Sequence, residues 1–174
     1  MSKKIKKFIC AIDGGASSGK TTMAKKLQEL VSNMAILDGD ELREWLSTKD
    51  FSREGRNEHN RKLAHLAKLL LSHNVPVVVS LISPFNEHRK YAREIIGNDN
   101  FVEIYIKCSL SLCEKRDNKG MYKKARQNEI KNFTGVNDDY DIPNNPDLII
   151  DTETEPLDKN VKKIMDYLSN HNFR

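Results

Sequence analysis

The stretch Gly14-Gly15-Ala16-Ser17-Ser18-Gly19-Lys20-Thr21-Thr22 decides the fold. From Gly14 to Thr21 it is a complete G-x-x-x-x-G-K-[ST] loop. Before it, Lys7–Asp13 is an apolar run of strand length. After it, Met23, Leu27, Leu30 and Val31 fall on one helical face. Strand, glycine-rich turn and helix form the context in which this motif binds phosphate. The glycines let backbone N–H groups turn inward, and the helix N-terminus adds partial positive charge. Lys20 can reach the β- and γ-phosphates, and the Thr21 hydroxyl can ligate Mg²⁺. The loop residues Gly14, Gly15, Ala16, Ser17, Ser18, Gly19, Lys20, Thr21 and Thr22 are therefore expected to hold the tail of a nucleoside triphosphate.

The same alternation continues along the chain. Strand-like runs lie at Met34–Asp38, Pro76–Ile82, Phe101–Lys107 and Asp147–Asp151. They are apolar throughout, as suits strands buried on both faces of a parallel sheet. Helical patterns occupy Arg56–Ser72, Asn86–Ile96 and the segment carrying Leu157, Val161, Ile164, Met165 and Leu168, with Pro156 near its start. Asp117–Gly135 differs, being polar and basic without a clear apolar face. The predicted fold is doubly wound α/β: a mostly parallel five-stranded sheet with helices on both faces, in one domain spanning 1–174, with a basic lid at 117–135.

Composition narrows the function classes. With 29 Lys and Arg against 25 Asp and Glu, the net charge is +4, which suits an anionic small molecule and gives no nucleic-acid signature of its own. Cys10, Cys108 and Cys113 are odd in number and form no C-x-x-C pair, so a reducing, cytoplasmic compartment is expected. The apolar run after the basic N-terminus is too short for a signal peptide. Val75–Ile82 is too short to span a membrane.

A nucleoside triphosphate site serves a switch or a kinase. The N-K-x-D element that reads guanine is missing; the nearest string, Asp117-Asn118-Lys119-Gly120-Met121, lacks the aspartate. At the end of the second strand, Leu37-Asp38-Gly39-Asp40-Glu41-Leu42-Arg43 places two carboxylates in the ligand crevice of a parallel sheet. One could hold Mg²⁺ through water while the other accepts a hydroxyl proton; equally, Asp40 could simply cap the helix that follows.

These strings make the chain recognisable. "SSGKTT", "LDGDELR", "FSREGR", "VSLISPF", "CEKRDNKGMYKKAR" and "EIKNFTG" resemble the adenylylsulfate (APS) kinase family in order and near spacing. The resemblance implies an ATP- and Mg²⁺-dependent kinase that phosphorylates the 3′-hydroxyl of adenosine 5′-phosphosulfate. It implies Asp40 as catalytic base, Arg43 on the nucleotide substrate, and Phe51 and Phe133 as aromatics that sandwich its base. Arg56 would sit near the acidic group, Ile82 and Ser83 at the strand end facing the substrate, and Lys119, Asn132 and Phe133 on the closing lid. Ser83 also matches a position assigned in parts of the family to a phosphoserine intermediate. Asp38 joins Thr21 as the metal-side pair, and Arg116 is the candidate for stacking on the ATP adenine. The lid carries Lys119, Lys123, Lys124, Arg126 and Lys131 against Asp117 and Glu129, a charge of +3 that would neutralise phosphates on closing. Family members are often dimers, so a homodimer is an expectation the resemblance brings.

The chain also departs from the family pattern. The loop reads G-G-A-S-S-G-K-T after Ile12 and Asp13, where the family usually reads like G-L-S-G-x-G-K-T after an aromatic. His59 stands where a substrate-binding asparagine is common. It is bulkier, and its charge changes near neutral pH. A related family activity, on cytidine diphosphoramidate, offers the same free 3′-hydroxyl, and aromatic stacking tolerates a pyrimidine. A nucleotide-dependent switch or a basic nucleic-acid-binding module is the alternative from another class, disfavoured by the missing guanine element and the acidic pair.

Overall fold

Residues 8–171 are described by a computed structural model. Their strands are β1 (Ile9–Asp13), β2 (Ala35–Asp38), β3 (Val77–Leu81), β4 (Phe101–Lys107) and β5 (Leu148–Asp151). Each falls within one of the apolar runs, trimmed by no more than two residues. The first residue of the predicted β1 run, Lys7, lies outside the described residues. All pairings are parallel, in the order β2-β3-β1-β4-β5.

Pleating divides each apolar run between two cores. Cys10 and Ile12 of β1 face one way, joining Val78, Ile104 and Ile150. Ile9 faces the other, with Val77 and Val79. Helix α1 (Lys20–Leu30) covers the first face with Met23, Ala24 and Leu27, beside α7 (Leu157–Asn170) with Val161, Ile164 and Leu168. Helix α3 (Arg53–Ser72) covers the second with Leu63, Ala64, Ala67 and Leu71, aided by Ile96 of α4 (Asn86–Ile96). Each Leu, Ile, Val or Met side chain among these contributes roughly 1.5–3 kcal/mol when taken out of water, before chain entropy is charged against it. The sheet is thus entirely parallel with helices on both faces. Among the described residues, no helix is long and apolar enough to cross a membrane.

Three short helices finish the carboxyl end of the sheet. They are α2 (Gly39–Trp45), α5 (Leu110–Arg116) and α6 (Met121–Arg126). Here the expectation for 117–135 is corrected. Tyr122, Ala125 and Phe133 of that basic segment are buried together with Cys113 in a small third cluster. No single helical period could reveal it, because the helix ends at Arg126 and Phe133 arrives from a later turn.

Candidate active site

β1 runs directly into Gly14, so the sheet's central strand aims the loop. Gly19 sits at φ +103° and Ser17 at φ +57°, the left-handed turns that curl the backbone. Gly19 is also the N-cap of α1 and has no side chain to satisfy the helix's first turn. Those first amides have no acceptor within the helix and are open to an anion. Lys20 Nζ donates to the Gly15 carbonyl at 2.6 Å, folding the ammonium back across the loop. Burial lowers the Lys20 pKa, while the carboxylates of Asp13 and then Asp40 oppose the shift.

Asp38 and Asp40 divide the work at the end of β2. The cap of α2 is Asp38, whose Oδ1 accepts from the amides of Asp40 at 3.0 Å and Glu41 at 3.4 Å. Asp38 Oδ2 accepts from the Thr21 hydroxyl at 2.9 Å. Asp40 is therefore spared the capping role. Its carboxylate is exposed and pairs with Lys119 Nζ at 3.0 Å. That bond raises the Lys119 pKa. Gly39 lets the turn between the two aspartates pack closely against the end of β3: a Cβ there would lie 2.8 Å from Leu81 Cβ. Thr21 and Asp38 offer hard oxygen donors beside the loop. That donor set fits Mg²⁺, which takes one or two protein oxygens and completes its shell with phosphate and water.

The predicted acceptor residues gather on the far side of Asp40. Arg43 stacks its guanidinium 4.6 Å from the Phe51 ring centroid and donates to the Asp50 carbonyl. Arg56 is buried and lies 5.5 Å from the same ring. It donates through Nε to the Phe51 carbonyl at 3.1 Å and through Nη2 to the Asn132 carbonyl at 2.6 Å. One arginine thus joins the half-exposed Phe51 to the lid turn that holds Asn132 and Phe133. Phe133 packs edge-on against Tyr122 at 4.9 Å. Ile82 is partly buried at the end of β3.

Ser83 lines the crevice wall, 6% exposed, with its Oγ accepting from Asn60 Nδ2 at 2.9 Å. His59 does not face the crevice as a cation. It is 2% exposed, and its Nε2 must donate to the Gly39 carbonyl at 3.0 Å. Burial, reinforced by the nearby Arg43, lowers its pKa from 6.5 to about 4. The neutral ring props the aspartate turn from behind.

A pH dependence follows. Between pH 6.5 and about 4 the unfolded chain takes up a proton that folded His59 refuses. Its contribution is fully present above the unfolded value and is lost as the solution is acidified. Urea midpoints measured at pH 7 and pH 5 should fall less in His59→Asn than in the native chain. An equal fall in both would assign the acid sensitivity elsewhere.

At the opposite end of the loop, Arg116 Nη2 donates to the Thr152 carbonyl at 2.8 Å, and the Thr152 hydroxyl donates to the Ser18 carbonyl at 3.0 Å. Thr152 went unread in the sequence, although its position just past β5 is the strand-end signal that singled out Asp38. Tyr122 was missed too; its hydroxyl donates to the Ala16 carbonyl at 3.0 Å and docks the 117–135 segment on the loop. So were Asp13, Asn60, Arg89 and Tyr140, whose partners are distant in sequence.

The adenylylsulphate kinase family profile matches residues 6–151. The adenylyl-sulfate kinase of Clostridium kluyveri is 41% identical over 161 residues, covering 90% of this chain and 80% of that one. The adenylyl-sulfate kinase of Pseudomonas aeruginosa is 40% identical over 171 residues, covering 95% and 87%. The structure of the Mycobacterium tuberculosis APS kinase in complex with AMPPNP and APS superposes with a TM-score of 0.88 at 36% identity, covering 94% of this chain and 98% of that one. A gluconokinase from Sinorhizobium meliloti matches with a TM-score of 0.65 at 15% identity, a likeness of fold alone. Phosphate loop, acidic turn and docked basic segment agree with a match that runs through residues 6–151, and the protein belongs to the adenylylsulphate kinase family.

Proposed function

We propose that this chain transfers the γ-phosphoryl group of ATP to the 3′-hydroxyl of adenosine 5′-phosphosulfate, giving 3′-phosphoadenosine 5′-phosphosulfate and ADP. One observation carries the reading. The cradle lysine follows β1 and the exposed carboxylate of Asp40, spared the capping role, follows β2, with the Lys119 ammonium 3.0 Å from that carboxylate.

Placement supports the following roles. The loop amides and Lys20 neutralise the phosphate tail, and Arg116 presents a flat guanidinium to the adenine. Phe51 and Phe133 sandwich the base of the acceptor, with Arg43 and Arg56 beside it. Asp40 takes the proton of the 3′-hydroxyl as that oxygen bonds to the γ-phosphorus. The bond from phosphorus to the β,γ-bridging oxygen breaks, and ADP leaves with that electron pair. Thr21 and Asp38 would hold Mg²⁺, which neutralises charge on the phosphate oxygens. In-line transfer needs no serine nucleophile, and the Ser83 hydroxyl, engaged by Asn60, supports the wall instead. The lid closes the site against water. The homodimer implied by the resemblance belongs to the same proposal, and light scattering reads it directly.

A panel of 5′-modified nucleotides, each offered with ATP and Mg²⁺ and scored for ADP release, tests the reading. Adenosine 5′-phosphosulfate should be turned over fastest. Faster turnover of cytidine diphosphoramidate would reassign the acceptor, and no ADP release from any of them would overturn the activity.

A further inference from the structure

Helix α3 begins at a cap that its own residues only half complete. Ser52 is the N-cap, and its Oγ accepts from the Gly55 amide at 3.1 Å. In the reciprocal form of this cap, a Glu or Gln three residues on reaches back to the N-cap amide. Here that position is Gly55, which has no side chain to send. The missing oxygen comes from the other direction. Asp50 Oδ1 accepts from the Ser52 amide at 2.8 Å, from two residues before the cap. Hydrogen bonds from the Ser52 hydroxyl and then its amide hold the Asp50 carboxyl below the ordinary carboxylate value.

Asp50 and Gly55 fit only as a pair. Gly55 is buried, and a Cβ on it would lie 2.3 Å from Asp50 Cγ and 2.6 Å from Oδ2. The carboxylate therefore fills the space that any side chain at position 55 would take. The φ of Gly55 is not left-handed, so the backbone itself does not demand a glycine there. Between Asp50 and Ser52 stands Phe51, the half-exposed ring proposed to stack on the acceptor base. Its peptide neighbours are pinned at three points. Arg43 Nη1 donates to the Asp50 carbonyl at 3.0 Å, Arg56 Nε donates to the Phe51 carbonyl at 3.1 Å, and Asp50 Oδ1 holds the Ser52 amide. The two arginines also lie over the ring, 4.6 and 5.5 Å from its centroid. Asp50 alone of the three has no assigned part in holding the acceptor.

We propose that Asp50 is a positioning residue for the acceptor nucleotide: its carboxylate, seated on Gly55, completes the cap of α3 and holds the turn that presents Phe51 to the base. The proposal rests on the kinase reading above, which supplies the nucleotide that Phe51 stacks on. Without the carboxylate the turn samples other conformations. Binding must then select the competent one, and the apparent dissociation constant rises by the inverse of its population. Losing one cap interaction shifts such an equilibrium by about 5-fold. Neither Lys20 nor Asp40 is touched, so the bound complex reacts as before.

The experiment takes kcat and both KM values from initial rates of ADP release, using the acceptor that the native chain turns over fastest. Asp50→Ala should raise the KM for that acceptor about 5-fold, with kcat and the KM for ATP within about 2-fold of native. Gly55→Ala should act in the same way, because the new Cβ displaces the carboxylate. A mere loss of folded protein would instead lower the rate at every concentration and leave the KM unchanged. Asp50→Gly/Gly55→Glu moves the acid onto the helix in the reciprocal cap, and should return the KM to within about 2-fold of native. Asp50→Gly is needed in that swap, since a Cβ at position 55 would lie 2.7 Å from Asp50 Cβ. On a Phe51→Ala background, Asp50→Ala should add nothing to the KM, because the ring it positions is gone. Thermal melts confirm that each chain folds; should the swap not fold, the single variants and the Phe51→Ala background decide. Single variants with a native KM, a folded swap with a raised KM, or a full Asp50→Ala effect without Phe51 each overturn the inference. Any of these in an active enzyme sinks this inference alone, whereas a native chain that releases no ADP with any acceptor sinks the kinase reading and this inference with it.

Discussion

Lys20→Ala should lower turnover by about 10³-fold or more, the scale expected when a main electrostatic element is removed from a phosphoryl-transfer site. The effect should reside in catalysis and not in folding. Lys20 donates one hydrogen bond, to the Gly15 carbonyl, and that oxygen sits in a loop open to water. Its other near neighbour of consequence, Asp13, keeps Arg89 at 3.0 Å and loses no hydrogen bond. Initial rates of ADP release, set beside a thermal melt, separate the two effects. A variant melting like the native chain and turning over within about 10-fold of it would mean that the loop grips something other than the transferring phosphates.

Asp40→Asn should lower turnover by about 10²–10⁴-fold, the range in which a positioned general base contributes. Asparagine keeps the shape and removes the proton acceptor. The stability cost should be small, since the Lys119 partnership it breaks is solvent-exposed on both sides and pairs of that kind are worth about 0–1 kcal/mol. The helix cap is untouched because Asp38 provides it. Rates that stayed near native would leave Asp40 as a docking point for the lid lysine only, and would move the search for the base to Asp38.

Lys20 and Asp40 are both legible in the sequence alone. The phosphate loop, the five apolar runs and the acidic turn are local patterns: a spacing, a length, a composition. Local patterns read well where strands buried on both faces leave no ambiguity of side. Even so, the division of labour between Asp38 and Asp40 was not legible. Either could cap α2, and a difference of two positions is settled only by where the chain turns. His59 misled for a related reason. Its charge depends on burial against Gly39, twenty positions away in the chain, and no property of the residue itself reports that. The hydrogen bonds of Asp13 lay furthest from view, with Ser83 and Tyr140 standing 70 and 127 positions along the chain. In the sequence Asp13 is only the acid before a glycine. The lid's buried cluster stayed hidden because lysines and arginines dominate its composition while Tyr122 and Phe133 meet across a turn.

The strand order has a consequence for synthesis. β1 leaves the ribosome ahead of both its neighbours in the sheet, Val77–Leu81 and Phe101–Tyr105. Translation must run through Tyr105 before the central strand has both flanks. Until then Ile9, Cys10 and Ile12 present bare edges and apolar faces to the surrounding water, an invitation to chaperones and to misplaced pairing. The cradle that begins at Gly14 therefore takes shape long after its own residues have been made.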